Sequence, residues 1–198
     1  MYSLCTIQDN VRVPPAKFSE DLNKTILEIT RKDYEGFVDS DLGVVIAVVE
    51  AEKVGDGRIV PGDGAAFYSA KLTLLTYKPT VQELIEGHVA ETTDFGAFVR
   101  IGPIDGLVHV SQIMDDYIDY DAKTQTFAGK ESKRQLKAND NVLARIVTVS
   151  LKGSVAESKI GLTMRQPYLG KKEWAKMRAE KAAKAPAEKK PKTEKQKE

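Results

Sequence analysis

The 198-residue chain has one cysteine, Cys5, and two histidines, His88 and His109. A single thiol excludes an internal disulfide and cannot anchor a cysteine-ligated metal; Cys5 reads as a small buried hydrophobe in a first strand. No Cys/His pair has the spacing of a zinc site. No run approaches about 18 apolar residues, and the N-terminus lacks the basic-then-apolar pattern of a secretory signal. These absences argue against a membrane association and for a soluble, cytoplasmic protein. There is no Gly-x-x-x-x-Gly-Lys-Ser/Thr phosphate loop and no Gly-x-Ser-x-Gly nucleophile elbow. Gly129-Lys130-Glu131-Ser132 lacks the earlier glycine that the phosphate loop needs. The residues supply no catalytic constellation, no metal site and no cofactor motif.

Charge of one sign is also lacking, since the net charge is only +1. Its distribution is uneven. From Lys171 to Glu198 there are 11 basic and 5 acidic residues, while the rest of the chain holds 19 basic and 24 acidic. An acidic body does not gather phosphates through its overall field, so any nucleic-acid binding must be local. The 171–198 tail opens with a possible helical turn around Trp174 and Met177. It then becomes Ala/Lys/Glu/Pro low complexity, for which disorder is expected from about Lys184. Solubility and salt-sensitive attraction to nucleic acid are both open roles for it.

What is present is enough apolar residue for packed cores, 41% of the chain, in two patterned regions. Residues 1–80 read as a compact α+β unit. A strand from Leu4 to Val13 stops at Pro14-Pro15, which cannot continue a central strand. A helix from about Ser19 to Lys32 follows, with Leu22, Ile26 and Ile29 on one stripe. Ser19 is a candidate cap, and Glu20 and Asp21 sit where the helix dipole favours anions. Leu42–Val54 is a valine-rich run suited to a strand buried on both faces. Gly55-Asp56-Gly57 suggests a hairpin into Arg58-Ile59-Val60. Pro61-Gly62-Asp63-Gly64 then leads into Phe67–Tyr77, where Tyr68, Ala70, Leu72 and Leu74 point inward and Ser69, Lys71 and Thr73 outward. The order is β-α-β-β-β.

Lys78-Pro79 marks a joint. Residues 81–170 carry five short strands with glycine-marked turns, at Leu84–Glu91, Gly96–Ile101, Leu107–Val110, Asn141–Ser150 and Lys159–Thr163. That is the pattern of a small Greek-key barrel of OB-fold type. A polar connection, the inserted loop 115–136, is expected between the third and fourth strands. Its Asp115, Asp116, Asp119 and Asp121 do not have EF-hand spacing and read as a solvated acidic loop.

The segment from Gly87 to Ile113 is the most informative. In Phe95-Gly96-Ala97-Phe98-Val99, alternation sends Val99 and Ile101 to the core and turns one or both phenylalanines outward; the alternative is that both are core. Gly106-Leu107-Val108-His109-Val110-Ser111 supplies a third ring, His109. Rings on one barrel face form a surface on which unpaired bases stack. Arg100, Lys137, Arg145 and Lys159 are candidate phosphate contacts, each with a solvated surface charge as its alternative. Single-stranded RNA is the first partner to consider.

These motifs, with Asp140-Asn141-Val142, Arg145-Ile146 and Val149, closely resemble the S-one RNA-binding domain, an OB fold. The resemblance implies that Phe95, Phe98 and His109 face RNA and that Lys159 is the basic residue opening the last strand. Ser150 stands where the family often has an acidic residue. Other motifs are Met1-Tyr2, Val11-Arg12-Val13-Pro14-Pro15, Phe18, Pro61-Gly62-Asp63-Gly64-Ala65, and the run from Leu162 to Gly170. With these the resemblance widens to residues 1 to about 175. It then points to the family of archaeal RNA polymerase subunits called E-prime, counterparts of the seventh-largest subunit of eukaryotic polymerase II. That implies an N-terminal tip domain of truncated ribonucleoprotein-like fold, docked on the polymerase core, followed by the all-β S-one barrel. It further implies a non-catalytic stalk, a heterodimer with the smaller F subunit of the polymerase. Such a stalk meets nascent single-stranded RNA and supports open-complex formation, processivity and termination. By resemblance Gly62, Asp63 and Gly64 contact the core; by residue chemistry alone they are a tight turn. The competing readings are a ribosome-associated or translation-factor RNA-binding protein and an accessory barrel of an RNA-degrading enzyme.

Overall fold

The computed structural model describes residues 1–18 and 21–174. The Ser19 cap, the Glu20 charge, the Met177 turn and the disorder expected from Lys184 lie outside the described residues. In the N-terminal half the strands are β1 (Tyr2–Val13), β2 (Val38–Asp39), β3 (Gly43–Lys53), β4 (Arg58–Ile59) and β5 (Ala66–Tyr77), and the α-helix among the described residues is α1 (Leu22–Tyr34). The sheet runs β1-β5-β3-β2, all antiparallel, with β5 at its centre.

Helix α1 covers one face of this sheet. Ile26 is fully buried among Val45, Val48, Leu72 and Leu74, with Leu22 and Ile29 packed at the margin. The cap is Asp21, whose carboxylate accepts from Asn23 N–H at 3.1 Å, a contact worth about 1 kcal/mol at a helix start. Thr30 sits buried inside the helix because its hydroxyl donates back to the Ile26 carbonyl at 2.8 Å.

Two expectations need correction here. The Arg58-Ile59-Val60 strand does not pair back on β3: Arg58 lies opposite Phe67 and Ile59 opposite Ala66, so the hairpin is β4–β5. The reason is length, since β5 spans 12 residues and β3 occupies only its Ala70–Tyr77 portion, leaving the start free for β4. Strand β3 is buried on both faces only at Gly43–Val45; toward its end Val49, Glu50, Glu52 and Lys53 are exposed and only Ala51 turns into the core.

In the C-terminal half, β6 (Leu84–Thr93), β7 (Gly96–Arg100), β8 (Asp105–His109), β12 (Asn141–Ser150) and β13 (Lys159–Thr163) form a closed five-stranded barrel. Closure comes from the β12–β13 hairpin and from parallel pairing of β13 with β8. A short β14 (Gly170–Lys171) pairs antiparallel with the start of β12, and Trp174 packs 5% exposed into the barrel core. Lys171 bridges Asp140 at 2.9 Å with both side chains mostly buried. The barrel therefore takes in Lys171–Trp174, the first residues of the stretch that composition marked as tail.

The 115–136 connection is not a polar loop but a third sheet, β9 (Ile118–Asp121), β10 (Thr126–Gly129) and β11 (Gln135–Lys137), in the order β11-β10-β9. Phe127 and Leu136 are fully buried and join the barrel core. Its acidic residues are engaged. Asp116 accepts from the Ser132 hydroxyl at 2.7 Å and the Ser132 N–H at 2.8 Å, Asp115 pairs with Arg165 at 2.7 Å, and Asp119 pairs with Lys130 at 3.1 Å. Val38, Val44 and Tyr77 of the first sheet belong to the same core cluster as the barrel, so the two halves share buried apolar surface.

Candidate nucleic-acid interface

Strands β7 and β8 form the hairpin that presents the rings. Gly96 lies opposite His109, and a Cβ there would overlap the Val108 carbonyl oxygen, so only glycine lets these backbones meet. Ala97 and Val99 point inward at 0% exposure, which turns Phe98 outward. Phe95, in the turn before β7, is 47% exposed and Phe98 is half-buried, so neither is a core residue. Their rings stand edge to face, 6.0 Å apart at 90°.

Beside them runs a groove of about 740 Å³ bordered by Phe98, Leu107, His109, Gln112, Lys159 and Gly161. Leu107 faces Phe98 across the hairpin and Gly161 lies next to Leu107 on β13, so the three form one row on the outer barrel face. Gly161 keeps the floor open, since a Cβ there would run into the Thr148 hydroxyl. The His109 ring is oriented by Ser111: its Nδ1 accepts from the Ser111 N–H at 3.3 Å and lies 2.9 Å from the Ser111 hydroxyl.

The structure thus brings together four of the seven sequence candidates, Phe95, Phe98, His109 and Lys159. The other three stand apart. Arg100 is clamped by Asp105, with Nε to Oδ1 at 3.0 Å, and borders a separate cleft with Tyr2 and His88. The Asp105 hydrogen bond and charge tighten the guanidinium's hold on its proton. Arg145 sits on β12 opposite Thr163, outside the groove lining, and its buried Nε has no partner among the described residues. Lys137 belongs to the inserted sheet, opposite Thr126, away from the groove. Sequence reasoning missed Gln112 and Leu107 as groove residues, and no spacing signal in one sequence marks Gln112.

The Pro61–Gly64 loop is held from inside the chain. Arg12 donates to both Asp63 carboxylate oxygens at 2.8 Å, and Asp63 Oδ1 also accepts from Ala65 N–H at 3.1 Å. The Arg12 bond holds the Asp63 carboxyl below the usual carboxylate range. Gly62 takes φ +94°, a conformation that favours glycine, and a Cβ on Gly64 would meet only Pro15 at 3.8 Å. Among the described residues no group of three or more His, Cys, Asp or Glu could hold a metal, and no helix is long and apolar enough to cross a membrane.

Two family models match the chain. Residues 8–64 match the SHS2 domain found in the N terminus of Rpb7p, Rpc25p and MJ0397, and residues 78–159 match the S1 RNA binding domain. Over 174 residues, 88% of this chain and 97% of the relative, the sequence is 41% identical to DNA-directed RNA polymerase subunit Rpo7 of Saccharolobus shibatae. The Rpo7 of Sulfolobus acidocaldarius is 38% identical over 184 residues, 93% of this chain and 100% of the relative. The RNA polymerase II subunit RPB7 of Glycine max is 23% identical over 147 residues, 74% of this chain and 84% of the relative.

Proposed function

Because the chain belongs to the Rpo7 family of DNA-directed RNA polymerase subunits, we propose that its barrel groove holds nascent single-stranded RNA. Membership makes it a non-catalytic part of a polymerase, and the translation and RNA-degradation readings are not favoured. The observation that carries the RNA reading is the Phe95–Phe98 pair set edge to face beside a groove that His109 and Lys159 also border. Aromatic faces with one nearby cation suit sequence-tolerant stacking of a single strand better than grip on a duplex. The acidic body makes such local contact necessary, because the overall field supplies none.

The proposal extends to the assembly. The chain pairs with the polymerase's smaller F subunit as a stalk, in the cytoplasm, and supports open-complex formation, processivity and termination by holding emerging transcript. The Gly62–Gly64 loop touches the polymerase core with its backbone, while Asp63 keeps the loop in shape through Arg12. The test is a photoreactive nucleotide in the transcript of an assembled elongation complex. Crosslinks to the Phe95–His109 segment are expected. Crosslinks confined to other polymerase chains would remove the reading.

A further inference from the structure

Two groove side chains have their hydrogen-bond polarity set by backbone N–H groups, which can only donate. The Ser111 N–H points at His109 Nδ1 at 3.3 Å, so that nitrogen carries a lone pair and the neutral ring keeps its proton on Nε2. The second chain of contacts starts at the Arg165 N–H, which donates to Thr163 Oγ1 at 3.4 Å. Thr163 is 4% exposed, and among the described residues the one acceptor given to its proton is Gln112 Oε1 at 2.9 Å. A buried hydroxyl proton left without an acceptor is costly. The Gln112 amide is therefore turned with its oxygen on Thr163 and its NH₂ away from it. That NH₂ has no partner among the described residues, and Gln112 borders the groove. The Gln112 backbone is fixed as well, because its carbonyl accepts from Met164 N–H at 2.8 Å.

We infer that Gln112 is a base-reading residue, and that with His109 Nε2–H it presents hydrogen-bond donors to the carbonyl edge of a base stacked on Phe98. This deepens the RNA reading of the groove and rests on it. Uracil fits such a rim, because it shows carbonyl oxygens on both sides of its ring. Adenine carries no carbonyl, and its N1 and N7 acceptors each flank an exocyclic amine that meets a second donor of the rim donor to donor. The rings supply affinity to any base, and Gln112 supplies preference among them. Thr163 and Ser111 are positioning residues that hold the two donors in register.

The experiment is fluorescence anisotropy of the full chain with three labelled strands: oligouridine, oligoadenosine, and oligouridine with abasic sites. Gln112→Leu is expected to weaken oligouridine binding roughly three- to tenfold, the worth of one hydrogen bond to a base. Binding of the other two strands is expected to be unchanged. Thr163→Val, which keeps the shape and removes the hydroxyl, is expected to show a smaller loss with the same selectivity. An equal loss on all three strands means that Gln112 acts through the fold and overturns the inference, as does no loss on any strand. Nitrogen NMR of the free protein gives an independent check, with His109 expected as the Nε2–H tautomer and the Nδ1–H tautomer contradicting it. Failure of the unmodified chain to bind any strand would overturn the RNA reading itself, a result distinct from loss of base preference.

Discussion

Arg12 and Asp63 face each other across the start of β5 as a two-pronged ion pair, both N–O distances 2.8 Å. The pair joins the end of strand β1 to the loop that carries Gly62 and Gly64. It gives the aspartate an internal role, which is to hold a glycine-bearing turn against the edge of the sheet.

A charge swap tests that role. Asp63→Lys alone is expected to loosen the loop and impair reconstitution with the polymerase core. Arg12→Asp combined with Asp63→Arg is expected to recover most of it, because the attraction is rebuilt in reverse. Hydrogen exchange at Ala65, whose N–H donates to Asp63, is expected to speed up in the single variant. A double variant that stays as defective as the single would show that the core reads the Asp63 charge directly.

The ring face is tested by truncation. Phe95→Ala, Phe98→Ala and His109→Ala are each expected to weaken single-strand binding by roughly 1–3 kcal/mol, with the circular-dichroism spectrum unchanged because none is a core residue. Lys137→Ala, on the inserted sheet, is expected to change it little. Filter binding in which Lys137→Ala costs more than Phe98→Ala would reverse this map.

Acid should leave the inserted sheet intact longer than its aspartates suggest. Hydrogen bonds from the Ser132 hydroxyl and N–H pull the Asp116 carboxyl down to about 2. The stabilisation from a depressed folded-state value is complete above the ordinary carboxylate range and is lost progressively as pH falls from that range through about 2. The Ser132 and Glu131 amide resonances should therefore hold their positions on titration to pH ~3 and shift below that. Asp116→Asn should remove this acid step. A midpoint near the ordinary aspartate value would contradict the contacts.

Phe127 ties that same sheet to the barrel. It is fully buried against Tyr120, with ring centroids 5.0 Å apart. Phe127→Ala is expected to cost about 3–5 kcal/mol of stability by leaving a cavity, read as a lower urea midpoint. A loss under about 1 kcal/mol would mean that the site collapses to fill the space.

Much of this architecture is legible in the residue order, and for local reasons. Ala97 and Val99 alternate with Phe98, so the pleat alone turns that ring outward. Leu22, Ile26 and Ile29 repeat at helical spacing, and Pro14-Pro15 ends the first strand. The partner of β4 is a different matter, because two residues hold no pattern that chooses between β3 and β5. The inserted sheet was hidden for another reason: Asp116 is satisfied by Glu131 and Ser132, far along the chain, and charge composition alone suggests only a solvated loop.

The sequence by itself determined the order of a one-helix α+β unit and a five-stranded barrel, and it contains no catalytic motif; outward rings were one of two readings it left open. The order follows from alternation, helical spacing and turn residues, which act over a few positions. Only the tertiary structure decided which candidates meet. It sets Phe98, His109, Lys159 and Gln112 around one groove, sends Arg100 to Asp105, and leaves Lys137 on another sheet. The physical reason is that barrel closure, through parallel pairing of β13 with β8, brings residues about 50 positions apart to one face, and the hydrogen-bond polarity of that face is then set by buried partners such as Thr163.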